Sequence, residues 1–238
     1  MSVTRIAWMA LVALAWVGMV SSAEAQIGSE WTSVHQYEPT DERFTVELRI
    51  GAYRPSLEPA FTNAFGGDLG PLLALELDVH LFRIPYVGPL AIGGSIGWVE
   101  WNGAASTAGG TANVGSTGMS LLPMALLAVL RVDVLARELD IPFVLTGKFG
   151  PDFGYYQTGV TGRTDAEGWS VGLRWAAQIA LELDFLEQRA AHRLDAEWGI
   201  NHSLIFFELY GSTMGQMGGN MLPLGTDLAW SLGLQLTF

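Results

Sequence analysis

The chain has 238 residues, half of them hydrophobic, with a mean hydropathy of +0.29 and a formal net charge of −12. That acidic balance excludes nucleic-acid binding through clustered Lys and Arg. The lack of Cys excludes a disulfide framework and a lipid-anchoring lipobox. A chain this apolar must either pack a large core or face lipid, and in lipid a strand solution must close into a barrel to pair every backbone group.

The first 25 residues read as an export signal. Arg5 supplies the positive region, Ile6 to Val20 is apolar apart from Gly18, and Ala23-Glu24-Ala25 is a small-x-small cleavage pattern before Gln26. The apolar run is shorter than the ~20 residues that a spanning helix needs. Residues 26–42 are polar and without a period, so a flexible N-terminal periplasmic arm is expected there, with the barrel over 43–238.

From Phe44 onward the period is two residues, which is the strand signature. Phe44, Val46, Leu48 and Ile50 alternate with Thr45, Glu47 and Arg49, and Leu73 to Leu81 alternates with Glu76, Asp78 and His80. In the third segment, Leu90 to Trp101, Leu90, Ile92, Ile96 and Trp98 oppose Ala91, Gly93, Ser95 and Gly97. Gly118 to Val132 is apolar on both faces and carries the weakest signal. Ile141 to Tyr156 sets Phe143, Leu145, Phe149 and Phe153 against Thr146, Lys148 and Asp152. Trp169 to Phe185 alternates over nine apolar positions, against Arg174, Gln178, Glu182 and Asp184. Asn201 to Gly211 sets Ile205, Phe207 and Leu209 against His202, Phe206 and Glu208. The last segment places Leu228, Trp230, Leu232, Leu234, Leu236 and Phe238 on one side.

These segments predict an all-β fold, a transmembrane antiparallel up-and-down barrel of eight strands, with ten possible on length. With both termini periplasmic, the outer loops are 54–71, 102–117, 158–167 and 212–225, and the inner turns are 83–89, 133–140 and 186–199. The last two inner turns have helix-compatible runs, Asp133 to Glu138 and Glu187 to Arg193, so short helical caps are expected there. A soluble β-sandwich with one dry face is the rival. It is disfavoured because nine alternate apolar positions far exceed an ordinary strand, and because Trp98, Trp101, Trp169, Phe185 and Phe238 lie toward strand ends, as in an aromatic girdle.

The C-terminal segment resembles the outer-membrane assembly signal, with Ser231, Gly233, Leu236 and Phe238 at its offsets. The resemblance implies recognition by the barrel-insertion machinery during biogenesis. The region from Phe44 also resembles an uncharacterised family of outer-membrane β-barrel proteins from myxobacteria. The matching stretches are Glu47 to Pro55, Leu75 to Asp78, Arg83 to Gly88, Asp133 to Glu138 and Gly199 to His202. This implies a Gram-negative outer-membrane barrel and carries no established activity.

The lumen-facing positions are the informative surface. They collect Glu47, Arg49, Glu76, Asp78, His80, Lys148, Asp152, Arg174, Gln178, Glu182, Asp184 and Glu208. A narrow barrel fills its interior with side chains, and charges there must be paired or solvated. The leading reading is an ion-paired, filled lumen with a structural or surface-exposed role. The alternative is a narrow pore, leaning to cations because acids are in excess. A further alternative is a conduit or site for small lipophilic molecules along an apolar wall of Gly93, Ser95, Gly97, Leu121 and Leu127, unless Phe82 and Phe206 reach across to fill it.

No catalytic constellation is expected. In lipid-A deacylase barrels a His and a Ser two apart share a face, whereas His202 and Ser203 are adjacent and oppose each other. Acids near the outer rim (Asp68, Asp152, Asp165 and Glu167) have no His beside them. His35, His80, His192 and His202 show no metal-ligand spacing, so neither metal nor cofactor is expected. The expected partners are outer-membrane lipid and lipopolysaccharide, and the barrel is expected to be a monomer.

Overall fold

The two-residue period resolves into strands throughout. The computed structural model describes residues 42–67, 69–106, 113–139, 141–160, 163–184, 198–219 and 221–238, all within one unit that begins at residue 39. The elements are β1 (Phe44–Tyr53), α1 (Ala60–Phe65), β2 (Gly70–Ile84), β3 (Gly88–Ser106), β4 (Asn113–Val132), α2 (Val134–Glu138), β5 (Phe143–Val160), β6 (Arg163–Glu182), β7 (His202–Ser212) and β8 (Thr226–Thr237). Each strand pairs with its sequence neighbours. β8 returns antiparallel onto β1, from Thr45 opposite Thr237 to Ala52 opposite Trp230, and closes the barrel. The number of strands is eight, not ten. The export signal, nearly all of the N-terminal arm and the Glu187 to Arg193 cap lie outside the described residues.

Closure pairs each strand with two neighbours and gives the two faces opposite fates. Leu48, Ile50, Leu73, Val79, Phe149 and Ile205 are each half-exposed or more on the outside, while their neighbours Glu47, Arg49, Lys148 and Phe206 are buried inside. An apolar belt around a closed wall, over a polar interior, is the arrangement of a membrane-spanning barrel of outer-membrane type. Trp169, Trp175 and Trp230 are outward-facing aromatics on this wall.

The end carrying the start of β1 and the end of β8 is here called proximal, the other distal. Proximally the β2–β3 connection is short, and the expected helix over Asp133 to Glu138 forms as α2. Distally the strands run further than expected. β3 and β4 stay paired to Ser106 opposite Asn113, and β5 and β6 to Val160 opposite Arg163. Most of the loop expected over 158–167 is therefore strand, as are the ends of the loop expected over 102–117. Gly, Ser and Thr there lack apolar alternation, but hairpin pairing does not require it outside lipid. β6 pairs with β7 only from Arg174 opposite Ser212, so β3 to β6 rise beyond their neighbours at the distal end.

Two aromatic expectations change. Trp101 belongs to the same parity as Gly97 and Val99, and it is 3% exposed inside the distal mouth rather than in a girdle. Phe82 does not reach across the lumen. A register shift in β2 between His80 and Phe82 leaves both Leu81 and Phe82 facing out.

Candidate functional site: the barrel interior

Alternation on β1, β2, β5, β6 and β7 delivers Glu47, Arg49, Glu76, Lys148, Arg174 and Glu208 to one central layer. Arg49 contacts Glu47 at 2.5 Å, Glu76 at 2.8 Å and Glu208 at 2.8 Å. Lys148 Nζ meets the same three carboxylates, at 2.6, 2.6 and 3.3 Å. Arg174 adds a contact to Glu208 at 3.3 Å. All of these side chains are fully buried except Arg174, at 7% exposure. Three acids and three bases thus neutralise one another, which burial demands of them. Phe206 lies 5.8 Å from the Arg49 guanidinium and Tyr210 4.4 Å from that of Arg174, so aromatic rings seal the faces the acids leave free. Gln178 donates to Glu47 at 3.4 Å.

On the proximal side, Arg131 donates to Thr45 at 3.0 Å and Thr237 at 3.5 Å, and Gln235 lies within 3.1 Å of it. His80 pairs with Thr45 at 3.0 Å and with the Glu42 carbonyl at 3.3 Å. His80 and Glu182 are thus rim groups rather than members of the central layer, and among the described residues the ion-pair partner of Glu182 is His202, at 3.4 Å. The rim is latched by His202 to Asp184 at 2.6 Å, by Arg137 of α2 to Glu42, and by Asp133 to both Arg83 and Arg137. Burial alone would raise the Glu42 carboxyl. The hydrogen bond from His202 and the charges of Arg137, His202 and Arg83 outweigh it and hold the group at about 2.

The distal mouth is closed by apolar side chains. Phe61 and Phe65 lie four apart on α1, so they share a helix face, and both turn inward onto β3. Phe61 meets Trp101 edge-on at 5.5 Å, and Gly66, with φ 69°, ends the helix in the left-handed region. From the other side the β7–β8 connection folds back. The Thr213 amide donates to the Leu173 carbonyl and the Gly215 amide to that of Val171, which inserts the fully buried Met214. Gly154 and Gly172 face it, and a Cβ at either would collide with Met214. Tyr53 and Ser170 hydroxyls donate to the carbonyls of Leu224 (2.6 Å) and Leu222 (2.8 Å), fastening the fold-back.

The small-residue wall is occupied as well. Gly93 lies against Asp78 and Val129, and Gly97 against Leu72, Ala74 and Pro123. Ala91, Ala125, Leu127 and Val129 pack together, and Leu121 is fully buried in the distal cluster, while Ser95 is 9% exposed. Phe206 fills the proximal side with Val144, Ala180 and Leu204. Asp152 is buried close to Arg174 and Ser212. At the seam, Phe238 stacks on Phe44 at 4.7 Å. Ser231 and Gly233 face β1 beside Gly51 and Arg49, and Leu236 pairs with Val46. His202 and Ser203 occupy opposite faces at the proximal rim, where the Ser203 amide and the His202 ring both bind Asp184.

Several of these residues carry no periodic signal in the sequence. Arg131 was hidden by a segment apolar on both faces, although its parity with Leu127 and Val129 places it inside. Phe61, Phe65, Met214 and Leu224 sit in connections with no period, and only the four-residue spacing of the two Phe was a visible signal.

No protein-family model matches the chain, and neither does any curated protein. Solved structures that resemble it are outer-membrane barrels. Ail of Yersinia pestis, solved in complex with the heparin analogue sucrose octasulfate, is 11% identical with a TM-score of 0.47, over 84% of this chain and 100% of that one. Neisserial surface protein A is 10% identical with a TM-score of 0.46, over 82% and 97%. The N-terminal β-barrel domain of Pseudomonas aeruginosa OprF is 8% identical with a TM-score of 0.40, over 83% and 100%. At these values the assignment of fold rests on the chain's own strand register: a closed, eight-stranded, antiparallel barrel.

Proposed function

We propose that this chain is a closed, non-conducting barrel of the Gram-negative outer membrane, with the proximal end in the periplasm and the distal hairpins at the cell surface. The carrying observation is that protein side chains occupy the interior from end to end. A latched rim, a neutral six-charge layer and an apolar distal lid follow one another along the barrel among the described residues. In this reading Glu47, Arg49, Glu76, Lys148, Arg174 and Glu208 stabilise the barrel rather than select ions, and the wall of Gly93, Gly97, Leu121 and Leu127 is packing rather than a ligand site. In this reading the role is non-enzymatic, and His202 and Ser203, adjacent on β7, form no hydrolytic pair because both bind Asp184. The apolar belt takes outer-membrane lipid and lipopolysaccharide as its partners. Residues 1–25 are an export signal, and Ser231, Gly233, Leu236 and Phe238 address the last strand to the insertion machinery. The monomer closes its own wall, β8 on β1, and so needs no second copy for closure.

Proteoliposome swelling tests this reading. Vesicles holding the refolded barrel are expected to swell in isotonic small sugars and salts no faster than empty vesicles. Swelling above that level, lost on substitution of the central acids, would replace it with a pore.

A further inference from the structure

The charge balance of the interior is not complete. Among the described residues, the lumen buries five acids (Glu47, Glu76, Asp78, Asp152, Glu208) and four bases (Arg49, Arg131, Lys148, Arg174), so one negative charge is left over. The central layer balances within itself. Outside it, Asp78 is fully buried, and neither of its carboxylate oxygens has a hydrogen-bond partner or an ion pair among the described residues. Arg131 is the nearest surplus base in chemistry, but its guanidinium is directed at Thr45 and Thr237.

Asp78 is not isolated from other oxygens. One carboxylate oxygen each from Glu47, Glu76 and Asp78 lie within 4.8 Å of one another. Three oxygens at that limit share a centre ~2.8 Å from each, and a small inward shift brings it to the ~2.3–2.6 Å of hard cations with oxygen ligands. The barrel builds this convergence deliberately in register. Asp78 pairs with Thr45 on one side and with Gly93 on the other. The carboxylate lies over Gly93, where any Cβ would collide with Oδ1.

We propose that Asp78, with Glu47 and Glu76, binds one small hard monovalent cation of the sodium class inside the barrel. A single positive charge neutralises the interior, whereas a divalent ion would leave it positive beside Arg49 and Lys148. Carboxylate oxygens suit an alkali ion, and the absence of His or Cys from the cluster disfavours transition metals. The ion enters as the barrel closes, because the finished interior has no path to it. This inference rests on the sealed lumen of the proposed function.

The test uses the refolded full-length barrel with thallium(I) as an anomalously scattering alkali-ion probe. The expected result is one anomalous peak between Asp78, Glu47 and Glu76, lost in Asp78→Asn. Urea midpoints of the wild type should be higher in sodium chloride than in N-methylglucamine chloride at equal ionic strength, and the two salts should be equal for Asp78→Asn. No peak at Asp78, together with an infrared band of a protonated carboxyl that Asp78→Asn removes, would assign the charge to a proton and overturn the proposal. A peak with calcium and none with thallium would overturn it too. A leaky lumen would reveal itself separately as vesicle swelling, whatever the crystal binds.

Discussion

Replacing Lys148 with Met removes one cation from the central layer while nearly keeping its length and volume. It leaves Glu47, Glu76 and Glu208, fully buried, with Arg49 alone between them and Arg174 touching only Glu208. At an effective dielectric of ~20, each Lys148 contact at 2.6–3.3 Å is worth ~5–6 kcal/mol before opposing terms. Desolvation of the ammonium and repulsion from Arg49 cancel most of that. Measured losses for one partner of a buried ion pair are ~3–5 kcal/mol, and that is the expected loss here. Equilibrium urea unfolding in lipid vesicles, followed by the mobility shift of the folded barrel on unheated gels, reads it. Adding Glu47→Gln removes the surplus acid and should restore ~0.5–3 kcal/mol, the range for contacting residues. A loss below ~1 kcal/mol for Lys148→Met would refute the reasoning. It would mean that water screens the layer as it screens a surface pair.

Other outcomes follow from the rim, the lid and the seam. The Glu42 carboxyl is at about 2 in the folded barrel against an ordinary 4.5. Its folded value is depressed, so its contribution is fully present above pH ~4.5 and is lost as pH falls toward 2. With discounting for partial exposure this amounts to ~1–3 kcal/mol. Protection factors of 134–138 in hydrogen exchange should therefore fall between pH 5 and about 2, and Glu42→Gln should show the lower protection at both. Phe61→Ala with Phe65→Ala takes two rings from the distal lid, at ~3–5 kcal/mol per ring. Protease cleavage within 54–69 should rise by orders of magnitude while the barrel stays folded on unheated gels, and unchanged cleavage would count against a packed lid. Phe238→Ala removes the stack on Phe44 but keeps the backbone bonds between Phe44 and residue 238. Refolding in detergent should survive it, and the folded fraction recovered from cells should fall several-fold. Equal recovery would remove the assembly role of Phe238.

What the chain reveals by inspection is whatever a two-residue period can carry. Strands β1, β2, β6 and β8 are legible because large apolar residues alternate with small, polar or charged ones, and the same parity on β1, β2, β5, β6 and β7 puts Glu47, Arg49, Glu76, Lys148, Arg174 and Glu208 on the inner face. Parity says nothing of height, so His80 and Glu182 looked equivalent to the central acids, although they end at the rim. Residue type misled at Trp101, where an aromatic at a strand end suggested a girdle while its parity with Gly97 indicated the inside. The distal lid was out of reach for a different reason. Met214 is buried because Gly154 and Gly172, about 60 and 42 residues earlier, leave room for it, and no local pattern encodes so distant a complementarity. The Asp78 convergence is of the same kind, since Glu47 and Glu76 meet it only after β1 and β2 pair and the barrel closes.

The central claim is that the lumen is sealed, and planar-bilayer recording of the refolded barrel tests it most directly. A sealed lumen gives no unitary current steps above the bare bilayer in molar potassium chloride at either polarity. Steps are expected to emerge when the lid residues Phe61 and Met214 and the central Lys148 are truncated together. Reproducible cation-leaning steps from the wild-type barrel, diminished by Glu47→Gln or Glu76→Gln, would contradict it.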